Sequence, residues 1–367
     1  MKDPSAAAEN NLPTSSLSPR LSEQLLLDAW SAAVGDLVPA RVLCTSPGRA
    51  QLADFAARRY PPAEVVGSFL DLHMLQLAAA GGAAVVPANL AFRCESDFTL
   101  TNVDVAALPL SSQGDGELTR DQLQQAYLAL RDGGLLLAAT DNPGDSWLAE
   151  VLQNFGGQLR RLAHERGVVY VVRRTGPPPR VRDYRAEFAF RDRDRLFTVE
   201  SRPGVFSHRR IDPGARRLID AMEVADGDRV LDIGCGWGAV GLAATARGAN
   251  VRVEALDSNA RAVECSQANA ERNGAADRYA VRLEAGGRSN STGSFDVALG
   301  NPPYYANFRI AELFTASAHA ALRLGGRLWM VTKFAEWYLD KLPGRFDDVE
   351  AREVKGYVIV SARKRRS

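Results

Sequence analysis

The chain has 367 residues, 24% of them charged, and a formal net charge of +1 at pH 7. This length suffices for two domains that each bury a core, and the balanced total charge neither favours nor excludes a nucleic-acid partner. The four cysteines lack CxxC spacing, so we predict no disulfide framework, no metal site and a reducing, cytoplasmic location.

The N-terminal segment, residues 1–18, is polar and has no basic region followed by an apolar stretch, which predicts a disordered lead rather than a signal peptide. The longest apolar stretch, residues 70–92, is interrupted by Asp71, His73 and Pro87 and would make a poor membrane span. We therefore expect a buried helix followed by a loop there, and no membrane partner.

Residues 19–175 carry a faded copy of the pattern in residues 202–367. In each half an apolar strand, a helix and a strand introduced by two glycines follow one another, over residues 103–137 in the first half and 295–329 in the second. We interpret this repeat as an internal duplication, with a chance match of short apolar strands as the alternative.

The first copy has lost the residues that carry chemistry in the second. Its first strand spans residues 41–45 and is followed by Ser-Pro-Gly instead of a glycine-rich turn. No Asn-Pro-Pro follows Leu108. We predict that this domain is degenerate and recognises the substrate.

Three consecutive prolines, Pro177 to Pro179, hold an extended backbone that neither a helix nor a central strand accepts. We therefore predict a Pro/Arg-rich linker and entry segment over residues 176–201, with the domain boundary at its start. Residues 160–217 also contain sixteen arginines, no lysine and seven acids. Guanidinium groups suit the phosphates of RNA, and a solvated charged surface is the alternative interpretation.

In residues 202–367, strand-like and helix-like segments alternate strictly, from the apolar run at 229–233 to the one at 327–332. Strict alternation predicts a parallel sheet with helices on both faces. The predicted fold class is therefore α/β, with two tandem Rossmann-like domains that are doubly wound and mostly parallel, the N-terminal one degenerate.

An acidic, glycine-rich turn, Asp-Ile-Gly-Cys-Gly-Trp-Gly at residues 232–238, ends the first strand of the second half. Its glycines permit a tight turn and let a ligand lie against bare backbone at a helix N-terminus. Asp257 ends the next strand, where a carboxylate can accept hydrogen bonds from both hydroxyls of a ribose. An ordinary tight turn with a helix cap is the alternative.

The chain lacks the GxxxxGK[ST] run of triphosphate sites, so we predict a nucleoside with a small charged tail, S-adenosyl-L-methionine. We expect Asp232 to bind the turn or, through water, the amino end of that tail. Cys235 is expected to fit the space without a nucleophilic role. The predicted cofactor-binding residues of these two strand ends are Asp232, Gly234, Cys235, Gly236, Gly238, Asp257 and Ser258.

The tetrapeptide Asn-Pro-Pro-Tyr at residues 301–304 follows the apolar run 295–300. An exocyclic amine on a nucleobase is a poor nucleophile because its lone pair is delocalised into the ring. If the Asn301 side-chain carbonyl and the Pro302 backbone carbonyl accept its two hydrogens, the nitrogen is held facing a methyl donor, and Tyr304 offers a ring on which the base stacks. We predict Asn301, Pro302 and Tyr304 as catalytic residues, with a simple turn after an edge strand as the alternative.

These motifs resemble the class I S-adenosylmethionine-dependent methyltransferases, and within them the bacterial ribosomal RNA guanine N2-methyltransferases. The resemblance rests on the tandem layout, on the Asn-Pro-Pro-aromatic tetrapeptide, and on Pro-Gly-Val-Phe-Ser at residues 203–207 before Asp212 and a helix. It implies that Phe206 and Ser207 lie close to the cofactor, and that the acceptor is the N2 amine of a guanine in ribosomal RNA or a ribosomal subunit. We also expect a monomer.

The chain departs from that family at residues 305–307, Tyr-Ala-Asn, where the family commonly has His and Gly after Phe. Two other acceptors stay open, because the same tetrapeptide serves methylation of adenine and of a protein glutamine; the tandem layout disfavours both. A third alternative is a non-catalytic RNA-binding or assembly protein, against which the intact Asp232, Asp257 and Asn301 argue.

Overall fold

The computed structural model describes residues 18–81, 86–303 and 308–365, so nearly all of the predicted disordered lead lies outside the described residues. By its internal contacts the chain divides into two compact units between Tyr184 and Arg185. Each unit has its own buried apolar core on both faces of a sheet.

The first unit is a seven-stranded sheet with helices. Its strands are β1 (Arg41–Thr45), β2 (Glu64–Phe69), β3 (Leu90–Cys94), β4 (Val103–Leu110), β5 (Leu130–Thr140), β6 (Gln158–His164) and β7 (Gly167–Arg173). Its helices are α1 (Leu21–Val34), α2 (Gln51–Arg59), α3 (Leu72–Gly81), α4 (Gly116–Ala129) and α5 (Trp147–Gln153). The strand order is β3-β2-β1-β4-β5-β7-β6, with β7 antiparallel to both of its neighbours and the other pairs parallel.

The second unit begins with a two-stranded hairpin, β8 (Ala186–Asp192) and β9 (Arg195–Ser201). Its main strands are β10 (Arg229–Ile233), β11 (Arg252–Asp257), β12 (Tyr279–Leu283), β13 (Phe295–Gly300), β14 (Leu322–Thr332), β15 (Phe346–Val354) and β16 (Tyr357–Lys364). Its α-helices are α6 (Pro213–Ala221), α7 (Ala239–Thr245), α8 (Ala260–Arg272), α9 (Arg309–Ala321) and α10 (Ala335–Lys341). The sheet order β12-β11-β10-β13-β14-β16-β15 repeats that of the first unit strand for strand. The predicted tandem α/β fold is confirmed.

The repeat extends to individual polar contacts. In the first unit Asp104, in β4, accepts a hydrogen bond from the N–H of Arg41 at the start of β1 and pairs with Arg131. In the second unit Asp296, in β13, accepts a hydrogen bond from the N–H of Arg229 at the start of β10 and pairs with Arg323. This correspondence favours duplication over a chance match of short strands.

Strand register also explains why the first unit is degenerate. The pair Val42–Val105 in the first sheet is equivalent to the pair Val230–Val297 in the second. When the strand registers of both sheets are followed further, each polar site residue has an equivalent in the first unit. Cys44 is equivalent to Asp232, Phe69 to Asp257 and Pro109 to Asn301. The carboxylates and the amide that could bind a polar ligand are therefore missing from the first unit.

The second half of the predicted linker and entry segment forms the β8–β9 hairpin, which belongs to the core of the second unit. Phe190 packs against Trp237 with ring centroids 5.7 Å apart, and Phe197 is fully buried beside it. Asn269 of α8 bonds both the N–H and the carbonyl of Glu200, at 2.7 and 2.8 Å. The density of charged residues hides the two-residue alternation of buried and exposed positions in these strands.

The expectation for residues 70–92 was also incomplete. The helix α3 is only partly buried, and residues 90–92 begin the strand β3 instead of continuing a loop. Residues 82–85 lie outside the described part of the chain.

Replacement of Phe197 tests whether the hairpin is structural. Phe197 is 0% exposed and its neighbour Leu196 is 54% exposed. We expect Phe197→Ala to lower the free energy of unfolding by about 3–5 kcal/mol, the usual loss for a buried phenylalanine. The matched control Leu196→Ala should change it by less than about 0.5 kcal/mol. Chemical denaturation gives both values, and equal effects would mean that the hairpin is a linker after all.

Candidate cofactor and acceptor site

The glycine-rich turn after β10 is fastened to the end of the neighbouring strand β11. The N–H groups of Gly234 and Cys235 both donate to the carbonyl of Leu256, at 2.8 and 3.0 Å. The N–H of Gly236 donates to Asp257 Oδ2 at 2.8 Å. The two strand ends predicted to bind one cofactor therefore form one rigid edge.

Two glycines of the turn have different roles. Gly236 has φ +55°, and a Cβ built on it would meet nothing within 4 Å, so its backbone faces open space that a ligand can approach. Gly238 has φ +96°, precedes the first residue of α7, and a Cβ there would lie 2.8 Å from Ser266 Oγ. Gly238 thus lets α7 pack against α8, and a direct cofactor contact by this residue stays a prediction.

Asp232 is a buried carboxyl group at the bottom of the site, only 2% exposed. Its Oδ2 accepts a hydrogen bond from the N–H of Gly241 at 2.8 Å. Burial raises its pKa to about 7, and the negative charge of Asp257 acts in the same direction. Asp232 can therefore gain or lose a proton near neutral pH.

Asp257 is held by backbone groups on both carboxylate oxygens. Oδ2 accepts from Gly236, and Oδ1 accepts from the N–H of Asn259 at 2.9 Å. A carboxylate oxygen can accept more than one hydrogen bond, so binding of ribose hydroxyls by Asp257 stays a prediction. Ser258 follows it and is partly exposed.

Asn301 is oriented by a residue that sequence reasoning did not select as part of the site. Its Nδ2 donates to Asp212 Oδ2 at 3.0 Å, and the same oxygen caps helix α6 by accepting from the N–H of Ala215 at 2.8 Å. Because a carboxylate oxygen only accepts, the amide nitrogen must face Asp212 and the carbonyl oxygen must face away from it. The sequence did carry a signal, since an aspartate directly before Pro213 is typical of a helix cap.

The 203–207 segment is held against α8 by its backbone. The carbonyl of Pro203 accepts from Arg261 at 2.8 Å, and that of Gly204 accepts from Asn259 Nδ2 at 2.9 Å. Beyond these contacts Phe206 is exposed and Ser207 Oγ donates to the carbonyl of Arg210. The segment therefore reaches the site with its last two side chains at the rim.

One cavity collects most of the predicted residues. The predicted residues that line it are Phe206, Ser207, Asp232, Gly234, Cys235, Gly236 and Asn301. Asp212, which was not predicted as a site residue, also lines it. Gly238, Asp257, Ser258 and Pro302 are not part of that lining as far as the structure describes the chain, and their roles stay predictions. Tyr304 lies outside the described residues, as do residues 305–307.

The cavity suits a nucleoside with a cationic tail. It combines the open backbone at Gly236 with a buried acid, Asp232, and an exposed ring, Phe206. Burial raises the pKa of the Cys235 thiol well above its ordinary value. A protonated thiol is a weak nucleophile, so we assign Cys235 a packing role.

The arginine-rich stretch over 160–217 is only partly a free charged surface. Six of its arginines donate to backbone carbonyls, namely Arg160, Arg161, Arg173, Arg174, Arg195 and Arg216. Five pair with acids, namely Arg174, Arg185, Arg202, Arg216 and Arg217. Arg180, Arg182 and Arg193 are among those exposed to solvent. The hypothesis of phosphate binding therefore applies to fewer residues than the sequence suggested.

The described ranges contain neither a membrane-spanning helix nor a cluster of metal-binding side chains. Within residues 18–81, 86–303 and 308–365 no helix has both the length and the apolar character to cross a bilayer. In the same ranges no three His, Cys, Asp or Glu side chains are grouped so that they could hold a metal ion.

Comparisons with known proteins agree with this geometry. The family described as methyltransferase small domain matches residues 196–361. The uncharacterised protein YbxB of Bacillus subtilis is 33% identical over 191 residues, which are 51% of this chain and 95% of YbxB. Ribosomal RNA small subunit methyltransferase C of Pseudomonas entomophila is 28% identical over 291 residues, 77% of this chain and 86% of that protein.

The fold of both units has a solved counterpart. The T. thermophilus 16S rRNA N2 G1207 methyltransferase, solved in complex with AdoMet and guanosine, has a TM-score of 0.73 and 22% identity, covering 93% of this chain and 92% of that one. At this identity the match shows the fold alone. With the family match and the coverage of YbxB, the chain belongs to the S-adenosylmethionine-dependent methyltransferases that carry the methyltransferase small domain.

Proposed function

We propose that this methyltransferase modifies the exocyclic N2 amine of a guanine in ribosomal RNA. The observation that carries the proposal is the hydrogen bond from Asn301 Nδ2 to Asp212. It turns the Asn301 carbonyl oxygen away from Asp212, and Asn301 lines the cavity that also contains the glycine-rich turn. An acceptor fixed beside a cofactor turn suits an amine with hydrogens to donate.

Asn301 and Pro302 act by holding the amine. When their two carbonyl oxygens accept its hydrogens, the nitrogen lone pair is directed toward the cofactor and can leave conjugation with the ring. S-adenosylmethionine supplies an electrophilic methyl group when bound. After transfer the amine is acidic, so its proton leaves to solvent without a strong base.

Two observations support ribosomal RNA as the acceptor. The relative named ribosomal RNA small subunit methyltransferase C from Pseudomonas entomophila aligns with 77% of this chain, and one solved counterpart is in complex with guanosine. The degenerate first unit offers a second surface for a large substrate, which a methyltransferase of small molecules does not need.

Nucleoside mass spectrometry of rRNA tests the acceptor. We expect rRNA from a strain that lacks this protein to lose one N2-methylguanosine, because Asn301 and Pro302 would no longer hold that amine for transfer. Loss of a methyladenosine would assign an adenine instead, and loss of methylglutamine from a release factor would assign a protein. Unchanged RNA and protein methylation, with RNA binding intact, would identify a non-catalytic RNA-binding protein.

Asn301→Ala tests the acceptor group itself. We expect methyl transfer to ribosomal subunits to fall by about 100-fold or more, since the amine is no longer held in line. Cofactor affinity should stay within about tenfold, or ~1.4 kcal/mol. Tritium transfer and calorimetry measure the two quantities, with Asn290→Ala, at an exposed asparagine of the same unit, as the control. Undiminished transfer in Asn301→Ala contradicts the catalytic role.

Asp212 is a positioning residue, and two substitutions separate its roles. Asp212→Ser keeps a good helix cap but is too short to bond Asn301, so we expect kcat to fall about tenfold, as for one lost hydrogen bond. Asp212→Asn can place its amide oxygen where Oδ2 lies and should restore most of the activity. The free energy of unfolding of both variants should stay within about 1 kcal/mol of the wild-type value. A normal kcat in Asp212→Ser would mean that Asp212 only caps the helix.

The raised pKa of Asp232 predicts how cofactor affinity depends on pH. The pKa of Asp232 is about 7 in the free protein, and the cationic tail of S-adenosylmethionine favours the ionised carboxylate. Below pH 7 a proton must therefore leave before binding, so we expect affinity to fall as pH decreases, by up to about tenfold per pH unit. Calorimetry between pH 5.5 and 7.5 should show this slope in the wild type and its loss in Asp232→Asn. An equal slope in both proteins would assign the proton to another group.

A further inference from the structure

The first unit contains an open cavity at the place where the second unit has its acceptor site. The cavity has a volume of about 230 Å³ and lies at the ends of β4 and β5, bordered by Leu110 and Thr140. By strand register Thr140 is equivalent to Thr332, and the end of β4 is equivalent to the end of β13, where Asn301 follows. The acceptor side of the first unit has therefore stayed open.

The cofactor side of the same unit is closed by its own chain. Glu23 of α1 is 0% exposed, and its Oε1 accepts from the N–H of Leu52 at 3.0 Å and from Ser46 Oγ at 3.2 Å. Burial raises the pKa of this carboxyl group. Leu52 is equivalent to Val240, which lines the cavity of the second unit. A carboxyl group thus covers the start of α2, so a cofactor has no access to it.

The lining of the open cavity includes side chains of the kinds that bind nucleobases, together with the carboxylate of Asp145, which accepts from the N–H of Leu148. The ring of Trp147 is 37% exposed, and the guanidinium of Arg120 lies 4.8 Å from its centroid. Hydroxyl and amide groups of Ser111, Thr119 and Asn142 line the same space. A flat aromatic and guanidinium surface stacks on a base, and hydroxyl and amide groups can bond the base edge.

A second cation lies near this surface. The backbone of Arg182 exchanges two hydrogen bonds of 2.8 Å with the side chain of Gln124 on α4, the helix that also carries Arg120. Arg182 is exposed, and an exposed guanidinium suits the phosphate next to a bound base.

We propose that this cavity of the first unit binds one unpaired nucleobase of an RNA, which stacks against Trp147 and Arg120. The inference rests on the proposed function for its substrate class. The volume of about 230 Å³ is below the roughly 300–1,000 Å³ of drug-sized sites, which suits one planar ring system. Because Glu23 closes the cofactor side, the base is recognised there and not methylated.

Short RNAs test the inference on the full-length protein. The probes are hexauridylate, hexaadenylate and a hexamer of abasic ribose phosphate, each followed by fluorescence anisotropy at one fixed salt concentration. We expect Trp147→Ala to weaken binding of the base-carrying hexamers by at least about fivefold, as for the loss of one stacked base. Binding of the abasic hexamer should not change. Arg120→Met should act in the same direction, and Leu128→Ala, at an exposed position of the same unit, serves as the control.

Ultraviolet crosslinking of hexauridylate, read by mass spectrometry, locates the base independently of stability. We expect crosslinked peptides that contain residues 111–120 or 140–150. Crosslinks confined to residues 185–367, equal affinity of wild type and Trp147→Ala, or no preference of the wild type for bases over abasic ribose would each overturn the inference. Failure of the proposed function is distinct from these outcomes, because it appears as unchanged rRNA methylation in the deletion strain.

Discussion

One carbonyl group holds the cofactor side of the second unit together. Leu256, near the end of β11, accepts hydrogen bonds from the consecutive N–H groups of Gly234 and Cys235. These two bonds join the turn after β10 to the adjacent strand, so the turn cannot move without losing both. The contact between Gly236 and Asp257 and the bond from Gly241 to Asp232 follow from this placement. The shape of the site is therefore fixed by backbone hydrogen bonds.

The polar side chains of the site are oriented by the protein before any ligand binds. Asp257 uses both oxygens on backbone N–H groups, and Asp212 uses one oxygen for a helix cap and for Asn301. Groups that are already oriented do not have to reorganise during the reaction, which is the usual advantage of a preorganised site. The energetic cost of this arrangement is the burial of the Asp232 carboxyl group, which raises its pKa to about 7.

The strands β10 to β14 could be predicted from sequence because strands covered on both faces are continuous apolar runs, whereas the antiparallel strands β15 and β16 were not identified. The turn at 232–238 and Asn301 were found for a similar reason, since each follows such a run. The β8–β9 hairpin was missed because its arginines and acids hide the buried Phe190 and Phe197. Asp212 was not selected because its partner Asn301 is 89 positions away, and no local pattern reports such a contact. Sequence also overstated the arginine surface, since it does not reveal which guanidinium groups fold back onto carbonyls.

The buried Glu23 has a consequence for the history of the chain. A duplicated enzyme half can in principle regain catalysis if its lost residues return one at a time. Here Cys44, Phe69 and Pro109 occupy the three polar positions, and the Glu23 carboxyl group fills the space in front of α2. Restoring any single polar residue would leave the site blocked, whereas removing Glu23 alone would leave the N–H of Leu52 unpaired in a buried place. Regaining catalysis in the first unit would therefore require more than one change at the same time.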